Sequence, residues 1–293
     1  MWFQGDIIKV AQQNVFDDLY TNMVAAGEAG GILDTIFQRL SVYIEKAVKL
    51  KSAVKSALVY PAAVVFIAGA VIALILWKVV PAFKELFDGM NADLPLPTRF
   101  VISASQFVGN FGIFIIIGMG ITAALLRSYY KTPKGRHVID SLLLKAPVFG
   151  PLLRKISVAR FTRTMSTLIA SGVPILECLD IAAHTSGNAI IEEAIMSVKH
   201  AIEEGRTIVE PLKASNVFPN MVVSMIGVGE QAGALEQMLT KIADFYEEEV
   251  DVAVGDLMTT LEPAIIVVLG VVVGGIVISM YMPIFSLVGQ LSK

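Results

Sequence analysis

Charge is scarce in this sequence. Asp, Glu, Lys and Arg make up 17% of its 293 residues, against roughly a quarter in soluble domains. With 55% hydrophobic residues and a mean hydropathy of +0.69, the chain reads as an integral membrane protein with a sizeable aqueous part. Cysteine is nearly absent. Cys178 stands alone, which excludes an intramolecular disulfide framework and a cysteine-built zinc site. Its expected place is as a small buried apolar residue on a helix. The net charge of −3 argues against a nucleic-acid partner. Met1–Asp6 has no basic n-region and leads into no long apolar run, so no cleavable signal peptide is expected. His137, His184 and His200 lack metal-ligand spacing. No G-x-x-x-x-G-K-[ST] loop occurs, which excludes a P-loop ATPase. No catalytic set, cofactor or metal is expected.

What is present is a repeat. Asn14–Asn91 lies without a gap on Asn216–Lys293, 202 positions on, with sixteen identities. Asn14-Val15-Phe16 falls on Asn216-Val217-Phe218, and Gly27-Glu28 on Gly229-Glu230. Gly31 falls on Gly233, Pro61 on Pro263, Pro81 on Pro283 and Phe83 on Phe285. Internal repetition constrains a fold before any other signal. Here the unit is a polar helical segment running into a membrane-length apolar one.

Three stretches are long enough to cross a bilayer, which takes about 20 apolar residues: 58–80, 107–126 and 261–281. In each repeat the two prolines stand 20 residues apart, about 30 Å of helix at roughly 1.5 Å per residue. Basic residues set the orientation. Arg39, Lys46, Lys49, Lys51 and Lys55 precede the first span, and nine Lys or Arg residues follow the second between Arg127 and Arg163, against one acid, Asp140. The N-terminus and the segment after Arg127 are therefore expected in the cytoplasm. The third span sits awkwardly with this rule, because its cytoplasmic flank carries Asp244, Glu247, Glu248, Glu249, Asp251, Asp256 and Glu262.

Between Arg127 and Leu261 no strand-like alternation occurs. Pro147–Pro151 (PVFGP) breaks the chain after the second span. Helices are then expected at 157–170, 174–186, 189–203, 207–213, 219–228 and 235–261. Gly172 and Pro174 act as stop and restart. The fold class expected is an all-α membrane protein: duplicated up-and-down helical bundles with three transmembrane helices. Its parts are a partial first cytoplasmic helical domain (1–57), spans at 58–80, 107–126 and 261–281, an external loop (81–106), a cytoplasmic linker (127–156), a second six-helix domain (157–260) and a short external tail (282–293). The first repeat matches only the last two helices of the bundle. Two such helices bury too little core alone, so the front of that domain is missing or another subunit supplies its packing.

Gly227-Val228-Gly229-Glu230-Gln231-Ala232 fits G-x-G-x-x-G/A, but that motif needs a preceding strand and a helix start, and here a helix precedes it. The better reading is a turn at Gly30-Gly31 and Ala232-Gly233 where glycine takes the left-handed conformation. Asp34 and Glu236 then favour the next helix's dipole. Glu28 and Glu230 oppose the dipole of the helix they end. Their repetition calls for a partner: a basic side chain, a backbone donor or a cation. The run Glu247-Glu248-Glu249 reads as a solvated helix face, with a docking surface as the alternative. The span cores hold no Asp, Glu, Arg or His, and Lys78 snorkels. This argues against conduction or pumping. Small residues dot the spans: Gly69 and Ala73 in the first, Gly270-x-x-x-Gly274 followed by Gly275 in the third. They suit close helix packing, within the chain or between copies.

These features together resemble the platform proteins of type II secretion and type IV pilus assembly. The resemblance rests on Phe161–Glu177 (FTRTMSTLIASGVPILE), Phe218-Pro219, Gly229-Glu230, Gly233-Ala234-Leu235 and Pro263. In the first repeat it rests on Gly27-Glu28, Gly31, Leu33 and Tyr60-Pro61, and Pro147–Pro151 is similar to the family's segment after the second span. It covers nearly everything from Asn14 on, and the missing front of the first copy departs from it. The resemblance implies a non-enzymatic platform in the bacterial inner membrane. It implies contact with a cytoplasmic assembly ATPase, with pilin or pseudopilin subunits and with other inner-membrane assembly proteins, and a homo-oligomer. Gly27, Glu28, Gly31, Gly172, Pro174, Glu177, Gly229, Glu230 and Gly233 are its structural or partner-contact positions. The overall look favours the pilus branch. The alternatives are a permease subunit that borrows an ATPase, which would need a polar path and more spans, and, third, a membrane enzyme.

Overall fold

The computed structural model describes residues 18–89, 94–147 and 149–291, and every regular element among them is helical. Asn14-Val15-Phe16, the start of the 1–57 segment, part of the 81–106 loop, Val148 and the last two residues lie outside the described residues. The chain divides into two compact units: Met1–Val54 with Tyr130–Gly255, and Lys55–Tyr129 with Asp256–Lys293.

In chain order the elements are α1 (Asp18–Gly30), α2 (Leu33–Leu74), a π turn (Ile75–Val79), α3 (Val80–Gly89), α4 (Leu96–Tyr130), α5 (Pro133–Lys145), α6 (Phe149–Ala170), α7 (Ile175–Thr185), α8 (Ala189–Glu203), α9 (Val209–Ala214), α10 (Asn220–Ala232) and α11 (Leu235–Leu291). Three stretches, within Leu33–Asp88, Leu96–Tyr130 and Leu235–Phe285, are long and apolar enough to cross a membrane. Pro61, Pro263 and Pro283 lie inside helices rather than ending them.

Two parts of the chain differ from the sequence-based expectation. The stretch 81–106 is largely helical: α3 continues beyond Pro81, and α4 starts at Leu96. Val80, Phe83 and Phe87 fall at helical spacing; Val80 and Phe87 are buried, and the two rings lie 6.2 Å apart. The stretch 127–156 carries α5. Its start is specified locally, by Thr132 accepting a hydrogen bond from Gly135 N and by Pro133 at the first turn.

The core of the first unit is a bundle of α6–α10 with the front part of α11. Phe161, Met165, Leu168, Leu179, Ile191, Ile195, Leu212, Ile226 and Ile242 are almost wholly buried there. The turns between its helices are set by glycines with positive φ. Gly172 (φ 80°) ends α6, and Val173 N donates to Leu168 O at 3.2 Å. Gly150 fixes the sharp corner between α5 and α6, because a Cβ there would stand 2.3 Å from Leu144 O. Asp140, the lone acid of its basic stretch, is buried. It accepts from Tyr130 Oη (3.0 Å) and Ala189 N (2.8 Å), capping α8 together with Asn188.

The second unit has a small core of Val80, Val101, Ile102, Ile276 and Met280, with Ile72, Ile75, Leu76 and Phe83 packed against it. Thr98 Oγ1 donates to Ser279 O at 2.5 Å, tying α4 to α11. Elsewhere the apolar faces of the three spans are open, as expected of helices that meet lipid.

Candidate functional site: the glycine–glutamate turns

Both copies of the repeat fold the same turn. Ile32 N donates to Gly27 O at 2.9 Å, and Ala234 N donates to Gly229 O at 2.9 Å. Gly31 N reaches Glu28 O at 3.4 Å, and Gly233 N reaches Glu230 O at 3.4 Å. Gly31 and Gly233 have φ of 68° and 66°. This is the left-handed helix ending that glycine makes without strain. Gly27 and Gly229 serve a second purpose. A Cβ at Gly27 would stand 2.6 Å from Ile36, and one at Gly229 would stand 3.0 Å from Met238. Ile36 and Met238 are aligned positions, so each glycine lets the same pair of helices cross closely.

Glu230 has found a backbone donor. Its Oε1 accepts from Ile208 N at 2.9 Å, at the start of α9. A carboxylate at the end of α10 opposes that helix's dipole, but the same group favours the N-terminus of the neighbouring helix. The partner demanded by the sequence is thus a peptide N–H. The gapless match begins at Asn14 on Asn216 and so gives Ile208 no counterpart in the first copy. Among the described residues no group of three or more His, Cys, Asp or Glu is placed to hold a metal ion.

An open groove of about 740 Å³ runs beside Glu230. Val209, Glu210 and Lys213 of α9 form one wall, and Ser224, Val228 and Gln231 of α10 form the other. Gly227 keeps the two helices close; a Cβ there would meet Val209 at 2.9 Å. Gly227 and Gly229 lie inside α10 and Ala232 ends it, so the nucleotide-binding pattern has neither strand nor helix start to work with. The turn at Gly172–Glu177 closes another corner of the same bundle. Pro174 caps α7 with its carbonyl accepting from Cys178 N at 2.9 Å, and Glu177 is exposed in the first turn.

The acidic run is largely absorbed by ion pairs. Arg163 Nε lies 2.7 Å from Glu247 and Arg163 Nη2 2.5 Å from Asp244. Lys46 Nζ is 3.0 Å from Glu247, Lys49 Nζ is 3.4 Å from Asp251, and Lys155 Nζ is 2.7 Å from Glu249. Burial works against the Arg163 charge; the hydrogen bonds it donates to Glu247 and Asp244 outweigh it and hold the guanidinium above its usual range. Partner separations in the α2–α11 pairs stay within about one helical turn of each other: 244 − 46 is 198, 247 − 46 is 201 and 251 − 49 is 202. Separations this similar mean that these stretches of α2 and α11 run parallel, close to repeat register. The acidic flank that fits the positive-inside rule poorly is thus matched to the basic flank of the first span. The hint lay in the alignment, where Lys49 stands over Asp251.

The small residues of the spans make no such contacts. A Cβ at Gly69, Gly270, Gly274 or Gly275 would meet nothing within 4 Å.

A family model described as "Type II secretion system (T2SS), protein F" matches residues 6–81 and 161–283, one match per repeat. The type IV pilus assembly protein PilC of Myxococcus xanthus is 49% identical over 278 residues, covering 94% of this chain and 66% of that protein. PilC of Pseudomonas aeruginosa is 41% identical over 273 residues, covering 93% and 73%. Type II secretion system protein F of Vibrio cholerae is 33% identical over 280 residues, covering 96% and 69%. The chain thus spans about two thirds of the length of these relatives.

Proposed function

Because the chain belongs to the type II secretion system protein F family, with pilus assembly proteins of the PilC kind among its relatives, we propose that it is a non-enzymatic platform in the bacterial inner membrane. In this reading it couples a cytoplasmic assembly ATPase to the movement of pilin or pseudopilin subunits, alongside other inner-membrane assembly proteins. The higher identity to pilus assembly proteins than to secretion proteins favours the pilus branch.

One observation carries the proposal. The repeated element is a helix, a Gly-Glu turn of fixed geometry and a long helix that continues into a membrane-length apolar run. Such an element passes a push on the bundle along a continuous helix. The groove beside Glu230 is the surface we assign to the ATPase. The N-terminus is taken as cytoplasmic, from the basic flanks. Homo-oligomerisation through the uncontacted faces of Gly69, Ala73, Gly270, Gly274 and Gly275 belongs to the same proposal, as does a second subunit packing on the first copy.

The test has two arms. A photo-crosslinker at Val228, exposed on the groove rim, should trap the assembly ATPase in cells. Glu230→Ala should abolish piliation while ATP hydrolysis by the isolated ATPase stays unchanged. Normal piliation in Glu230→Ala, with no crosslink at Val228, would sink the assignment.

A further inference from the structure

We infer that the cavity beside the π turn of the second unit binds the headgroup of a phospholipid that carries both a phosphate and a primary ammonium group. The turn stands just ahead of Pro81. That proline has no N–H, so Trp77 O loses its helical partner. The backbone widens there: Val80 N donates to Ile75 O, and Ser105 Oγ of α4 donates to Leu76 O. The second copy keeps a proline at the aligned position, Pro283, yet its helix stays α-helical throughout. The widened turn is therefore particular to the first copy, and π turns concentrate at functional sites.

A cavity of about 420 Å³ opens against this turn. Trp77 walls it on one side, with Lys84, Glu85 and Asp88 from α3 and Gln106 and Asn110 from α4. It lies where the apolar stretch 58–80 gives way to polar residues, the level at which tryptophan sits in membrane proteins. Lys84, Glu85 and Asp88 thus share one small space, and Lys78 Nζ stands 5.6 Å from the centroid of the Trp77 ring that walls it. Lys84 and Asp88 are four residues apart, a spacing that favours pairing. Yet among the described residues Lys84, Glu85 and Asp88 form no ion pair within 4.0 Å.

That set selects its ligand. A phosphate fits Lys84. Two carboxylates and two amide oxygens accept N–H groups, which a primary ammonium supplies and a trimethylammonium cannot. An anionic headgroup without an amine would meet Glu85 and Asp88 unfavourably. The acyl chains lie along span faces that the chain leaves open.

Trp77 reports on the site directly. The sequence has two tryptophans, so Trp2→Phe leaves Trp77 alone. The full chain with this substitution is reconstituted in phosphatidylcholine vesicles, and phosphatidylethanolamine is titrated in. Trp77 emission should shift and saturate at a low mole fraction, and phosphatidylglycerol should not reproduce it. Lys84→Ala, or Glu85→Gln with Asp88→Asn, should raise the half-saturating fraction about tenfold, the loss of one charge-assisted hydrogen bond. Glu85 and Asp88 are exposed, so these changes leave the fold intact, as circular dichroism would verify. A response linear in phosphatidylethanolamine, shared by phosphatidylglycerol or unmoved by the variants overturns the inference. Saturation by water-soluble phosphoethanolamine without any response to the lipid overturns it equally.

Discussion

At the scale of single residues, glycine and cysteine make the most distinct claims. Gly229→Ala places a Cβ 3.0 Å from Met238 and 3.1 Å from Leu235 Cα. One of those neighbours is backbone and cannot swing away. The substitution should destabilise the bundle by about 1–3 kcal/mol, the usual cost of overpacking, seen as a lowered melting temperature. Gly274→Ala meets nothing within 4 Å and should leave the melting temperature of the detergent-solubilised chain unchanged. Cys178 is fully buried, its Sγ 3.2 Å from Val173 O, and burial pushes the thiol up from 9.0 to about 12. The folded state therefore favours the neutral thiol. Its contribution is complete below pH 9, where the unfolded thiol is also neutral, and is lost as pH rises from about 9 to about 12. Urea melts across that window should show a decline that is shallower in Cys178→Ala, and native protein should resist maleimide until unfolded. The buried cysteine and the turn glycines were legible in the sequence. The donor to Glu230 was not, because nothing local links position 208 to 230.

At the scale of elements, helices were the most readable feature and their pairings the least. Apolar spacing and Gly-Pro punctuation located α6, α7 and α8 to within a few residues, apart from the extended start of α6. The helical continuation past Pro81 escaped because a proline after an apolar run reads as a stop, whereas the chain stays helical through it. The register of α2 against α11 escaped because it rests on side chains about two hundred positions apart. That register is testable. A zero-length carbodiimide should couple Lys49 to Asp251, whereas it should not couple Lys46 to Asp251. Equal yields from both pairs would contradict a parallel arrangement in repeat register. Glu247→Ala should cost more than Glu248→Ala, since Glu247 is half-buried between Arg163 and Lys46 while Glu248 is exposed. Glu247→Ala strips the acceptor from Arg163 Nε while Asp244 still holds Nη2, and losing that one charge-assisted hydrogen bond costs about 1.5–3 kcal/mol, measurable as a difference in thermal stability.

At the scale of the whole molecule, the two copies carry one pattern in two environments. Val48 and Val250 are the same residue at aligned positions, yet Val48 is 59% exposed and Val250 is fully buried. Phe37 (46% exposed) aligns with Leu239 (1%), and Ile44 (48%) with Tyr246 (6%). The stripe that seats α11 in its bundle is thus open on α2. The sequence already foretold this, since four of six bundle helices have no counterpart in the first copy. Val250→Ser should lower stability by about 2 kcal/mol or more, whereas Val48→Ser should leave it within about 0.5 kcal/mol. Equal losses would mean that the Val48 face is covered in the folded chain.

The parallel α2–α11 pairing has one more consequence. At its point of closest register a lysine of one copy faces an aspartate of the other, Lys49 against Asp251. Two identical copies meeting this way would set like charge against like. The contact exists only because the halves have diverged, so neither can stand in for the other. A chain built from two first halves or two second halves would set lysine against lysine or aspartate against aspartate at this position. What began as a duplication has become a lock and its key.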